Sequence, residues 1–167
     1  NDGSAQNPWQ TIGRAAAVAK AGDTVVVAAG TYQESVVITN GGSETASVVY
    51  RADGAVKLDG ANYTLPFGLR CLRVANVVLD GFEVTGFAQY MVPMVDIDGA
   101  AYCVLTNLHI HHSKTGYGYG HGLRFKTSQR CALASSRMEN HQYYGVTTAG
   151  KSGGLTLDRC LMANGQY

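Results

Sequence analysis

The chain has 167 residues, of which 15% are charged; it carries 21 glycines, three prolines and a formal net charge of +1. That is enough for one domain with a core of its own, and we expect residues 1–167 to form a single domain. The near-neutral balance leaves no broad basic surface for a phosphate backbone, and no apolar run reaches the roughly 18 residues of a membrane-spanning helix. Neither a nucleic-acid partner nor a membrane span is therefore expected.

The chain opens at Asn1-Asp2-Gly3-Ser4 without a charged and apolar leader, so a signal peptide is expected to be absent or already removed. Helical character appears once, over the alanine-rich stretch 11–21, where Thr11 can cap the start and Gly22-Asp23 ends it. Short β-rich runs broken by Gly, Asn, Asp and Ser follow: Val25 to Val27, Val36 to Ile38, Val48 to Tyr50 and Val56 to Leu58. No helix separates them as a βαβ fold requires.

A repeat organises the remainder. Segments LDGFEV from Leu79, LTNLHI from Leu105, LASSRM from Leu133 and LDRCLM from Leu157 superimpose without gaps, at offsets of 26, 28 and 24 residues. Upstream of each leucine lies another short strand, at Leu69 to Cys71, Val95 to Ile97, Leu123 to Phe125 and Val146 to Thr148. Three strands per period and no helix describe an all-β solenoid, a right-handed single-stranded parallel β-helix with coils from about residue 24 to 167. A leucine-rich repeat shares the period but needs a fixed leucine and asparagine pattern and a helical segment in each repeat. The variable spacing fits the β-helix. The early helix then acts as an N-terminal cap, covering strand edges that an open solenoid exposes. The chain ends at Asn164 to Tyr167 in mid-coil with no cap, which predicts either a fragment or an open end covered by a second copy in a homo-oligomer.

The opening residues Gly3-Ser4, Asn7-Pro8-Trp9, Thr11-Ile12, Gly22-Asp23-Thr24-Val25 and Gly30-Thr31-Tyr32 resemble the amino-terminal cap and first coil of secreted right-handed β-helix proteins. Later, Gly122 to Phe125 followed by Cys131 to Asn140 is similar to their generic coil. The chain thus resembles the polysaccharide-lyase-like superfamily that includes pectate lyases and chondroitinase B-like proteins. The motif is specific for the fold and weakly specific for activity. The resemblance implies a secreted, cell-surface or periplasmic protein, a uronic-acid polysaccharide as partner, a Ca²⁺ ion held by carboxylates, and a lysine or arginine removing the C5 proton.

Strand alternation sorts the coil positions. On the first strand Leu69, Val95, Leu123 and Val146 point inward, with Cys71, Ile97, Phe125 and Thr148; Arg70, Asp96, Arg124 and Thr147 form one outward ladder, and Leu72, Asp98, Lys126 and Ala149 the next. By the resemblance, Lys126 is the candidate base, Arg124 the substrate clamp, and Asp96 and Asp98 the calcium ligands. Two aspartates fall short of the six to eight oxygens calcium wants. The bland reading of the same ladders is a solvent-facing row of alternating ion pairs. Arg70, His121 and the tyrosines Tyr117 and Tyr119 of the loop GYGYGHG are candidate substrate contacts, the aromatics by stacking on sugar rings. A glycoside hydrolase would want further converging carboxylates; a C5 epimerase and a non-catalytic carbohydrate-binding or structural β-helix remain open.

On the third strand Val84, Ile110, Met138 and Met162 point inward, leaving Glu83, His109, Arg137 and Leu161 outward, then Thr85, His111, Glu139 and Ala163. His109, His111 and Glu139 can bind a transition metal or act as acid and base, or simply form a polar solvated face. His112 sits at the turn, in register with Asn140 and Asn164. Cys71, Cys103, Cys131 and Cys160 read as buried free thiols, and only Cys103 and Cys131 stand in register for a disulfide.

Overall fold

The computed structural model describes residues 1–87, 90–113 and 120–163. Helix α1 (Ile12–Val18) precedes fourteen strands among the described residues. These are β1 (Thr24–Tyr32), β2 (Val36–Ile38), β3 (Val48–Asp59), β4 (Leu69–Leu72), β5 (Val77–Thr85), β6 (Val95–Asp98) and β7 (Val104–Thr106). They continue as β8 (His109–His111), β9 (Leu123–Lys126), β10 (Ala132–Ala134), β11 (Arg137–Glu139), β12 (Val146–Ala149), β13 (Thr156–Asp158) and β14 (Leu161–Ala163).

Every pairing between named strands is parallel. One sheet runs β12-β9-β6-β4-β2; in the other, β5 pairs with both β7 and β8, which lead to β10-β13 and β11-β14. The result is a parallel β-helix of about five coils, right-handed as parallel crossovers are. The repeat expected from sequence is the register of the stack. Leu79, Leu105, Leu133 and Leu157 pair in one ladder, and Val84, Ile110, Met138 and Met162 in another. The inward residues of the middle coils are fully buried, from Leu69 and Cys71 through Ile97, Leu105 and Phe125 to Met138. Each inward methylene removed from water stabilises by roughly 0.8 kcal/mol, so stacked Leu, Ile and Val ladders make the core.

Two expected strand pairs fuse. Val77 to Leu79 and Phe82 to Val84 form one strand, β5, because Gly81 turns the corner at φ 86° without leaving the ladder. In later coils Asn107, Ser135 and Arg159 take the same left-handed turn and split the strand in two. His112 and Asn140 likewise share a left-handed turn position, at φ 56° and 54°.

The helix is shorter than the expected 11–21. Thr11 does cap it, its hydroxyl accepting from the Arg14 amide at 3.2 Å, but Ala19 is already extended at ψ 144°. Lys20 leaves the helical ladder and donates its amide to Asp23 at 2.8 Å. Glu34 accepts from the Ile12 and Gly13 amides at 2.8 and 2.9 Å, placing a carboxylate at the positive end of the helix. Ile12, Ala15 and Ala16 are buried against the first coil, so α1 covers that end as expected. The preceding segment folds onto itself: Gly3 sits at φ 87°, and a Cβ there would lie 2.7 Å from the Trp9 ring. In the last described coil the inward residues Leu157 and Met162 are about half exposed. No described helix is long and apolar enough to cross a membrane.

All four cysteines are free, three of them buried. The register that brings Cys103 and Cys131 together therefore makes a stack of thiols rather than a disulfide. Burial pushes the Cys71 thiol up to about 12.

Candidate functional site

The outward ladders of the β4–β6–β9–β12 sheet meet as the alternation requires: Arg70, Asp96, Arg124 and Thr147 pair in one row, Leu72, Asp98, Lys126 and Ala149 in the next. Asp96 points outward yet is only 1% exposed, because arginines from the coils on either side close over it. Arg124 grips it bidentately, Nε donating to Oδ1 at 3.0 Å and Nη2 to Oδ2 at 2.9 Å. Arg70 Nε lies 3.2 Å from Oδ2 as an ion pair, and its guanidinium packs 4.3 Å over the Phe67 ring. Arg124 Nη1 donates to the Met91 carbonyl at 3.2 Å. One row further along, Lys126 Nζ donates to Asp98 at 3.0 Å, with the lysine side chain 46% exposed. Three cations thus face two carboxylates on one flat strip.

This arrangement does not fit calcium. Both oxygens of Asp96 are taken by guanidiniums, Asp98 is engaged by Lys126, and the nearest charges on the strip are cationic. A hard cation needs several unengaged oxygens and suffers beside like charge.

Beside Arg124 lies an aromatic group on neighbouring turns. His121 stacks on Tyr144 with ring centroids 5.7 Å apart, stands edge-on to Tyr143 at 5.6 Å, and the two tyrosines touch at 4.1 Å. Two backbone bonds fix them: Tyr143 donates its amide to the Gly120 carbonyl at 3.0 Å, and Gly122 donates to the Tyr144 carbonyl at 2.8 Å. Tyr143 and Tyr144 are 40% and 48% exposed. Half-burial, then the Arg124 charge, lower the proton affinity of His121, whose buried Nδ1 has no hydrogen-bond partner among the described residues.

The sequence-derived candidates thus fall into three sets. Arg70, Asp96, Asp98, Arg124 and Lys126 come together on one strip, and His121 joins it. Tyr117 and Tyr119 lie outside the described residues. Tyr143 and Tyr144 enter the site from the structure alone, although an adjacent tyrosine pair in the turn before a repeat strand is a readable signal.

A second polar cluster occupies the outer face of β5, β8 and β11. His109 Nε2 bonds Glu139 at 2.7 Å, and Arg137 holds the other Glu139 oxygen at 2.6 and 2.9 Å. His111 Nε2 meets Glu83 at 3.1 Å and its Nδ1 the Thr85 hydroxyl at 3.1 Å.

The first 39 residues match a family described as "Protein of unknown function (DUF1565)". No curated protein sequence matches the chain. Solved structures do. An alginate lyase from Paenibacillus sp. str. FPU-7 superimposes with a TM-score of 0.62 at 17% identity, over 90% of this chain and 63% of that one. A rhamnogalacturonan lyase gives 0.61 at 16% identity over 97% and 55%, and the pectate lyase Pel9A 0.61 at 14% over 91% and 50%. The chain therefore spans less than two thirds of the length of each of these enzymes. At such identities the likeness speaks for architecture. The protein has a parallel β-helix fold like that of these three structures.

Proposed function

We propose that the protein binds a uronate-containing polysaccharide across the β4–β6–β9–β12 face and cleaves it by β-elimination. The observation that carries this reading is the aromatic group of His121, Tyr143 and Tyr144 set against the cationic strip of Arg70, Arg124 and Lys126. Tyrosine faces stack on sugar rings, while outward N–H groups that Arg124 keeps beyond Asp96, together with Lys126, accept a uronate carboxylate. Neutralising that carboxylate acidifies the adjacent C5 proton. A base then takes the proton, the C4–C5 double bond forms, and the glycosidic oxygen leaves C4 with a proton from solvent.

Two side chains offer a nitrogen base. Lys126 is held as an ion-pair partner by Asp98, which suits it to charge neutralisation. His121 is the better base, because half-burial, with the Arg124 charge beside it, lowers its proton affinity and so favours the neutral imidazole that can take a proton. The similarity of the fold to alginate, rhamnogalacturonan and pectate lyases supports a polymeric substrate. Such polymers lie outside the cytoplasm, and we place the protein there. We also infer that the half-exposed inward residues Leu157 and Met162 are covered by a second copy of the chain.

A second reading has its own support. The saturated Asp96 pairs and the Lys126–Asp98 pair are what a non-catalytic binding face needs to stay in register. The test is incubation with polygalacturonate and with alginate, with and without calcium, following absorbance of the unsaturated uronide. The elimination reading expects product without a calcium requirement, roughly 100-fold less of it with His121→Ala, and a smaller loss with Lys126→Ala. Binding without product supports the second reading. Neither binding nor product removes both.

A further inference from the structure

We propose that Glu83, His109 and His111 form a binding site for a divalent transition-metal ion, on a sheet separate from the polysaccharide face. The three come from two successive coils: Glu83 from β5, and His109 and His111 from the same outward face of β8. Each offers a ligand atom, and the three atoms all lie within 4.8 Å of one another. Around a zinc ion with bonds of roughly 2.0–2.1 Å, tetrahedral ligand atoms stand about 3.4 Å apart, so side-chain rotations alone close the set.

The histidine geometry goes beyond what alternation demands. Residues i and i+2 of a strand project side by side roughly 6.6 Å apart, yet the two rings lean together to 4.2 Å between centroids, tilted by 36°. Two imidazoles drawn together beside a carboxylate are arranged as ligands are. The outer partners are present as well. His109 Nε2 bonds Glu139, itself clamped by Arg137, leaving Nδ1 without a hydrogen-bond partner among the described residues. His111 Nδ1 lies 3.1 Å from the Thr85 hydroxyl and 2.5 Å from His112 Nδ1, leaving Nε2 toward Glu83. A hydrogen-bonding group behind each imidazole fixes ring orientation and tautomer, as in known metal sites.

Chemistry selects the ion. Two imidazoles and one carboxylate suit Zn²⁺, Co²⁺ or Ni²⁺ and not Ca²⁺ or Mg²⁺, which take oxygen. Glu83 and His109 are 38% and 39% exposed while His111 is 13% exposed, so solvent reaches one side and completes the coordination. An ion held there ties the β5 coil to the β8 coil and stabilises the folded chain against unfolding.

The test uses untagged protein stripped with a chelator, then titrated with Zn²⁺ by calorimetry and thermal unfolding. Co²⁺ serves as the spectroscopic probe. The expected result is saturation at one ion per chain, a Tm that rises with free Zn²⁺, and Co²⁺ visible bands distinct from those of the hydrated ion. Affinity should fall roughly tenfold or more in His111→Ala and in Glu83→Gln. The His111 variant also loses its contact with Thr85, so the half-exposed Glu83→Gln variant, with a folded circular-dichroism spectrum, decides the question. Absence of saturable binding, or Glu83→Gln binding as tightly as the wild type, overturns the proposal.

Discussion

Replacing Asp96 with Asn tests whether the strip is a buried charge cluster or a row of surface ion pairs. Asn keeps the shape but removes the charge, and it turns an NH₂ donor toward guanidinium donors. Three contacts are at stake: the two Arg124 bonds at 3.0 and 2.9 Å and the Arg70 pair at 3.2 Å. Breaking a fully buried pair costs about 3–5 kcal/mol, because a charge is left stranded. Here the arginine side chains stay 22% and 27% exposed and can turn to water, which lowers the expected cost to about 2 kcal/mol. For a chain of this length that is a fall in Tm of about 4–8 °C. Asp98→Asn is the internal control: its partner Lys126 is 46% exposed, and the loss should stay below about 1 kcal/mol. Thermal unfolding by circular dichroism, with urea midpoints as a cross-check, reads both variants. A Tm for Asp96→Asn within about 1 °C of the wild type, or equal costs for the two variants, would refute the closed Arg70–Asp96–Arg124 arrangement.

Two other expectations follow from burial. His141 is 2% exposed and bonds the Ser113 hydroxyl, and burial pushes its pKa down to about 4, with His111 and His112 adding repulsion and Glu139 opposing. The unfolded chain binds that proton near pH 6.5 and the folded chain does not, so stability is full above pH 6.5 and drains as pH falls toward 4. The loss is on the order of 3 kcal/mol, with smaller contributions of the same sign from His111 and His121. Urea midpoints at about pH 7.5 and about pH 5 should differ more in the wild type than in His141→Asn, and parallel pH slopes would contradict the assignment. Iodoacetamide on the folded protein should modify Cys160 and spare Cys71, Cys103 and Cys131, with all four reacting in urea; rapid native labelling of Cys71 would contradict its burial.

The coil is legible in the sequence because its signal is periodic. Leu79, Leu105, Leu133 and Leu157 occupy the same rung of a stack, and period-two alternation around them assigns every ladder, including the one that sets Asp96 between Arg70 and Arg124. Alternation says which way a side chain leaves the sheet, not what closes over it. Alternation therefore reads Asp96 only as an outward carboxylate, to which the family resemblance adds a calcium role, whereas two arginines bury it. The Tyr143–Tyr144–His121 contact escapes the sequence for a related reason: it depends on how the turns before β9 and β12 bend toward each other, and no strand register fixes that. The expected helix runs too long because Ala19 to Ala21 have good helix propensity, which yields locally to the Lys20–Asp23 turn that launches β1.

The claim that the cationic strip and its aromatic flank receive an acidic sugar chain is tested most directly by affinity electrophoresis in gels containing polygalacturonate or its neutral methyl ester. The account predicts retardation in the acidic polymer only, weakened by salt and reduced in both Arg124→Ala and Tyr144→Ala. Equal migration in both gels, or retardation untouched by either substitution, would contradict it.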